Sequence, residues 1–364
     1  MKTMRDESFT SPAERTAAEL RSLYGKFGYL PYKMSKFEEY DLYARNKEFL
    51  ISDSIITFTD TDGRLMALKP DVTLSIIKNT DVPARGTTKL FYSENVYRVS
   101  GRGGRPGSRG PEGGETFREI MQTGLECMGN VDDYCLAEVL LLAGKSMASI
   151  SDEFVLDVCQ LDILFKAVDR ISNDPQIQAG LLKCAEEKNI HGIREISGNI
   201  GKSPEISAID TLINLVGLYG TPKETLPVIE KAAEYLGAQA EYEKFKNVLT
   251  ALENTTVKDK IKVDFSIVSD RNYYSGIAFK GYVNGVPERV LSGGQYDRLM
   301  EKFGKKCGAI GFAVYLNTLE RLNEGNRPED ITKLVYGPKV APGNVLKKME
   351  ELTAAGEKAK AAAE

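Results

Sequence analysis

Leu90–Val99 and Phe117–Met128 alternate apolar and polar side chains over lengths that paired strands sustain, which commits the middle of the chain to a sheet. On the second run Arg118, Ile120, Gln122 and Gly124 point to one face and Glu119 to the other. Arg98, Gln122 and Glu126 can therefore share one wall, a combination of cation, amide and carboxylate that suits a zwitterion such as an amino acid. Asp71, just past Lys69-Pro70, adds a second carboxylate for an ammonium or an imidazole. Between the runs, Gly101–Glu115 holds seven glycines with Arg102, Arg105 and Arg109. It reads as a solvated hairpin loop, with phosphate cradling by amides and arginines the alternative. Its spacing is not a dinucleotide fingerprint, and it lacks the aromatics that would support RNA contact.

Ser11-Pro12-Ala13-Glu14 is a capping box with proline at the first helical position, opening a helix that ends near Gly25–Gly28. Ile55–Thr59 and Leu65–Leu68, joined by Asp60-Thr61-Asp62-Gly63, form a hairpin, and Val72–Lys78 a short helix. Phe154–Cys159 is a further strand. Leu161–Ile171, Pro175–Lys188, Ser203–Gly220, Thr221–Gly237 and Ala240–Glu253 carry helical periodicity. Residues 161–253 thus read as a helical insertion into a core made of 1–160 and 254–325. From 326 onward, strand-like Lys333–Tyr336 and a terminal Lys/Ala/Glu-rich helix suggest a short remnant or docking arm.

Charge excludes several classes. With 48 basic against 52 acidic side chains among 364 residues, no global basic field points to nucleic acid. Five cysteines lack CxxC spacing, and the single His191 makes a histidine-based triad or metal cluster improbable, so no metal or cofactor is expected. No apolar run spans a membrane and the start carries no signal-peptide core, which points to the cytoplasm.

The stretch Asp264–Leu319 leaves two readings open. Ile261–Val268, Gly276–Val283 and Arg289–Leu291 have strand character, Asn284-Gly285 a turn, and Tyr273-Tyr274 stand where a strand enters the sheet. Ser292-Gly293-Gly294 reads as a hinge that lets backbone pass close to whatever it faces. The stretch is either a small-ligand pocket on an antiparallel sheet or a plain meander with buried tyrosines.

Several of these segments share a family likeness. The strand–loop–strand resembles motif 2 of class II aminoacyl-tRNA synthetases, and Ala67-Leu68-Lys69-Pro70-Asp71-Val72-Thr73 resembles the Leu-Arg-Pro-Glu/Asp-x-Thr run of histidyl-tRNA synthetases. Asn272-Tyr273-Tyr274-Ser275-Gly276 and Ser292-Gly293-Gly294-Gln295-Tyr296-Asp297 are similar to that family's two histidine-specific segments. The resemblance covers roughly residues 4–325. It implies an α+β fold, a class II synthetase-like six-stranded antiparallel sheet flanked by helices, with a dimer interface and a helical insertion. It also implies a histidine pocket of Asp71, Arg98, Gln122, Glu126, Tyr273, Tyr274 and Tyr296.

The pattern breaks at the positions that handle ATP. The slot of the family's catalytic arginine, four residues before the first tyrosine, holds Ser269, and a hydroxyl cannot stabilise a developing adenylate charge as a guanidinium does. Arg271 lies two residues on, about 6–7 Å along a strand. In motif 3, the glycine that makes room for nucleotide has become Tyr315, and the ATP-binding arginine slot is Thr318. Glu320-Arg321-Leu322 imitates the motif shifted by three, a displacement of about 4.5–5 Å along a helix. Gln295 replaces an arginine of the family. The residues after Gly325 are too few for an anticodon-binding domain. This combination resembles the synthetase-like regulatory subunits of ATP phosphoribosyltransferases. That implies a noncatalytic chain that forms a homodimer through its core and joins a short-form catalytic subunit, with L-histidine feedback and no tRNA. The alternative is a histidyl-tRNA synthetase or a tRNA-independent enzyme that adenylates an amino acid.

Overall fold

The computed structural model describes residues 11–46, 55–83, 85–100, 116–199, 206–268, 271, 273–322, 332–337, 340–355 and 359–363. Two 14-residue strands, Thr87–Ser100 and Thr116–Gly129, pair in unbroken antiparallel register from Thr87↔Gly129 to Ser100↔Thr116. Gly308–Tyr315, Leu291–Gln295, Ser275–Val283 and Phe154–Gln160 follow in order across the sheet, every neighbouring pair antiparallel. These six strands are the antiparallel sheet that the family resemblance implies. The sheet is nonetheless mixed and nine-stranded, because Leu30–Pro31 and Ile261–Asp264 add in parallel at either side and Tyr219–Gly220 closes the far edge.

The period-two pleat sorts the sheet into two faces with different burial. On the back, Phe91, Leu125, Ile310 and Phe312 pack against the helix Asp133–Ala148, whose Leu136, Val139, Leu140, Leu142, Ala143 and Met147 are all buried. Each such side chain contributes about 1.5–3 kcal/mol on removal from water. The helix Pro12–Lys26, opened by the Ser11/Glu14 capping box, lies beside it and bonds Tyr24 Oη to Ser146 Oγ at 2.9 Å. On the front, Tyr92, Val96, Met128 and Ala309 meet a smaller apolar cluster. It comes from Tyr43, Ala67, the helix Thr73–Asn79 and the helix Asp297–Lys302.

Several sequence expectations need correction. Ser292-Gly293-Gly294 is no hinge; it lies inside the strand Leu291–Gln295, with both glycines forced by close neighbours. The sequence reading assigned no element to residues 133–148, yet this helix forms the floor of the core; nearly all its faces are apolar, which hides the helical period. Asn189 caps a further helix, Ile190–Gly198, on which His191 is exposed. At the C-terminal end the expected Lys/Ala/Glu-rich helix is Pro342–Ala354, and a strand that was not expected, Ala359–Ala363, follows it and pairs in parallel with Thr332–Tyr336. Between Phe154–Gln160 and Ile261–Asp264 come, among the described residues, six α-helices from Leu161–Ile171 to Gln239–Leu252. Among the described residues no helix is long and apolar enough to cross a membrane, and no acidic or histidine/cysteine group could hold a metal ion.

Three front-face glycines let other side chains lie flat on the backbone. A Cβ on Gly124 would sit 2.6 Å from Tyr92 Oη, on Gly294 2.7 Å from the Tyr274 ring, and on Gly311 1.7 Å from Glu126 Oε2. At Gly311 it would also stand 2.5 Å from the backbone oxygen of Leu125, which cannot swing away. Gly311→Ala is therefore expected to cost about 1–3 kcal/mol or more of stability. Urea unfolding of the variant against the parent measures it.

Candidate functional site

The glycine floor is where the residues singled out by the sequence converge. Asp71, Arg98, Gln122, Glu126, Tyr273, Tyr274 and Tyr296 all line one small front-face cavity, joined by Thr73, Tyr92, Ser292 and Tyr315. Thr73 and Tyr92 escaped the sequence reading. The first faces the site only because Lys69-Pro70-Asp71 ends one strand and starts a helix; the second is across the ladder from Gly124.

Glu126 holds the site together. Its Oε2 accepts from Tyr296 Oη at 2.6 Å and its Oε1 from Thr73 Oγ1 at 2.7 Å. Burial nevertheless pushes this carboxyl up to about 8, with the two hydroxyls opposing the rise and the nearby Asp71 adding to it. Asp71 is raised by burial as well, against the amides of Leu74 and Thr73 and the charge of Arg98; its Oδ1 accepts from Leu74 N at 3.0 Å. Arg98 is oriented by its Nε donating to Pro70 O at 3.1 Å. Beside it Lys69, fully buried, is paired with Glu94. The tyrosines meet in series, Tyr273 edge-on to Tyr274 with centroids 4.5 Å apart and tilted against Tyr296 at 6.4 Å.

Two facts describe what this arrangement can accept. Gln122 is 3 % exposed, yet its Nε2 has no hydrogen-bond partner, which leaves an amide donor in the wall of the cavity. Orphaned buried donors are rare and costly. Yet the cavity holds only about 30 Å³, space for a water or two and not for an amino acid. Larger clefts exist, including one of about 970 Å³ beside Arg85, Asn130 and Cys307, but they lack this convergence of buried carboxyls, hydroxyls and an unpaired amide.

At the positions that depart from the family's pattern the described residues are committed elsewhere. Tyr315 stands across from Gln122 in the strand register and closes the cavity there. Thr318 is turned back, its Oγ1 donating to Tyr315 O at 2.6 Å in the 3-10 turn Leu316–Leu322. Arg271 makes a two-point ion pair with Asp169 and lies over Phe165, outside the cavity. Gln295 accepts from Ile277 N at 2.9 Å and sits against Gly276, whose φ of +63° permits the bulge at that strand entry. Its amide thus completes backbone pairing. Ser269 and the loop Gly101–Glu115 with Arg102, Arg105 and Arg109 lie outside the described residues.

Glu126 also predicts a pH dependence. Because its folded pKa lies above the ordinary glutamate value of 4.5, the folded state holds its proton more tightly than the unfolded chain does. The stability this proton provides is complete below about 4.5 and is lost as pH rises through about 8. Glu126→Gln, which keeps an acceptor for one hydroxyl while the other can turn to accept, is expected to flatten the fall of stability between these limits. Urea midpoints at intervals across that range measure the difference in slope.

A family model described as Histidyl-tRNA synthetase matches residues 5–319. The ATP phosphoribosyltransferase regulatory subunit of Caldanaerobacter subterraneus subsp. tengcongensis is 30% identical over 320 residues, covering 84% of this chain and 78% of the relative. Among solved structures, an ATP phosphoribosyltransferase regulatory subunit/histidyl-tRNA synthetase from Bacillus halodurans C superposes with a TM-score of 0.75 at 21% identity, over 99% of this chain and 94% of the other. The ATP phosphoribosyl transferase (HisG:HisZ) complex from Thermotoga maritima contains a chain that matches with a TM-score of 0.59 at 16% identity, over 84% of this chain and 98% of that one. The synthetase-type sheet, the assembled front-face site and these relatives together place the chain in the histidyl-tRNA synthetase family, among the ATP phosphoribosyltransferase regulatory subunits.

Proposed function

We propose that this chain is the noncatalytic regulatory subunit of an ATP phosphoribosyltransferase, working with a short-form catalytic subunit in the first step of histidine biosynthesis, and that its front-face cavity is where L-histidine acts. The observation that carries the reading is the split character of the site. Asp71, Thr73, Gln122, Glu126 and Tyr296 converge on one cavity, while Tyr315 closes its nucleotide side and Arg271 is spent on Asp169. Such a site can recognise an amino acid, and among the described residues neither Arg271 nor the Tyr315 and Thr318 positions present a cation to an adenylate-forming transition state. With only about 30 Å³ free, histidine enters by displacing the tyrosine walls. The ligand then favours an open arrangement over the closed one, the unequal affinity that feedback requires. A homodimer formed through the core belongs to the same proposal.

Equilibrium titration with L-histidine tests the pocket. Saturable binding is expected, weakened at least about tenfold in Arg98→Ala and in Glu126→Ala. Absence of binding, or binding indifferent to both changes, would falsify the assignment. Co-expression with a short-form catalytic subunit is expected to yield a mixed complex whose phosphoribosyltransferase activity depends on this chain. Histidine-dependent ATP–pyrophosphate exchange by the chain alone is expected to be absent, and clear exchange would overturn the noncatalytic reading.

A further inference from the structure

Two cations, Lys280 and Arg289, lie just outside the cavity lining, one beside Ser292 and the other over Tyr315. Lys280 stands next to Ser292 in the cross-strand row Tyr92–Gly124–Ala313–Ser292–Lys280, whose directly opposed members share the front face. Arg289 carries its guanidinium 5.9 Å from the centroid of the Tyr315 ring, which itself lines the cavity. Its charge acts on Tyr274 on one side and on Lys280 on the other; burial and Arg289 together lower the Lys280 pKa. Both side chains are half-buried. Lys280 stands opposite Asp157 in the ladder and feels the charges of Asp157, Asp264 and Glu186, whereas among the described residues Arg289 has no carboxylate partner. A half-buried guanidinium without a carboxylate, next to a second cation, costs stability that an anion joining it would offset.

The site is therefore polarised. Asp71 and Glu126 occupy one end, and the unpaired Gln122 Nε2 lies next to Tyr315 in the register, on the side where Arg289 waits. A zwitterion matches this order, its cationic groups against the carboxyls and its carboxylate toward Gln122 and the guanidinium. We propose that Arg289, backed by Lys280, anchors the carboxylate of the amino acid bound in the front-face cavity, with Tyr315 turning aside to let the two meet. The proposal rests on the pocket reading above. It assigns a specificity role to residues outside the cavity lining, and predicts selection against amines that lack a carboxylate.

The test compares L-histidine with histamine, which keeps the imidazole and the ammonium and lacks the carboxylate. Both are titrated calorimetrically into the unaltered chain, Arg289→Gln and Lys280→Gln, with urea unfolding to check that each variant is folded. The unaltered chain is expected to prefer histidine by at least about tenfold, the range of one charge-assisted hydrogen bond. Arg289→Gln is expected to lose most of that preference while its histamine affinity stays within about twofold, and Lys280→Gln to shift the same way by less. An unchanged histidine-to-histamine ratio in Arg289→Gln, or equal weakening of both ligands, overturns the anchor. So does equal binding of both ligands by the unaltered chain, although that result leaves the pocket reading standing. Binding of neither ligand overturns the pocket reading and the anchor with it.

Discussion

A carboxyl held out of water by two hydroxyls ties the front of this molecule together. Glu126 reaches Thr73, 53 residues earlier, and Tyr296, 170 residues later, so one side chain joins the central hairpin, the short helix Thr73–Asn79 and the segment entering Asp297–Lys302. It can do so because Gly311 has no side chain to occupy the same volume. The contact is expensive in solvation and is tolerated because both oxygens are satisfied. Everything else at the site is arranged around that carboxyl: the tyrosine cluster against Tyr296, Asp71 capping the helix that carries Thr73, and Gln122 two pleat repeats away on the same strand, beyond Gly124.

The long hairpin was legible because the alternation of Leu90–Val99 and Phe117–Met128 has no helical counterpart, and that alternation puts Arg98, Gln122 and Glu126 on one wall. Asp71 was marked by its place after Lys69-Pro70 and the tyrosines' part in a pocket by the motif resemblance; their convergence depends on contacts between distant segments that periodicity does not encode. What escaped was governed by tertiary fit. The helix Asp133–Ala148 is apolar on almost every side because the back of the sheet and the helices around it enclose it, so no moment marks it. The glycines of Leu291–Gln295 looked like flexibility, whereas they are clearances for Tyr274 on one face and for Phe279 and Phe312 on the other. Tyr92 was invisible for the matching reason: its importance lies in the absence of a side chain at Gly124.

Relatives of a synthetase need not retain its reaction, and the structure gives the loss a physical form. Arg271, the cation nearest in sequence to the altered catalytic slot, faces Asp169 on the helix Leu161–Ile171 and is neutralised there. Gln295, in place of an arginine, mends the backbone at the Gly276 bulge. On the noncatalytic reading proposed above, Tyr315 and Thr318 fill and fold back at the positions where the family would hold nucleotide. Each substituted group that the structure describes has acquired an architectural task, which makes the change hard to reverse one residue at a time.

The outer half of the long hairpin is braced from the side. Tyr97 N bonds to Lys69 O at 2.9 Å, Arg98 Nε to Pro70 O at 3.1 Å, and the buried Lys69 ammonium to Glu94. Three bonds thus fasten the strand Thr87–Ser100 to the corner Lys69–Asp71, so a displacement of that strand near Arg98 has to carry Asp71 with it or break part-buried hydrogen bonds. The front-face carboxyl is in this way coupled to the hairpin by contacts that do not involve the core behind the sheet.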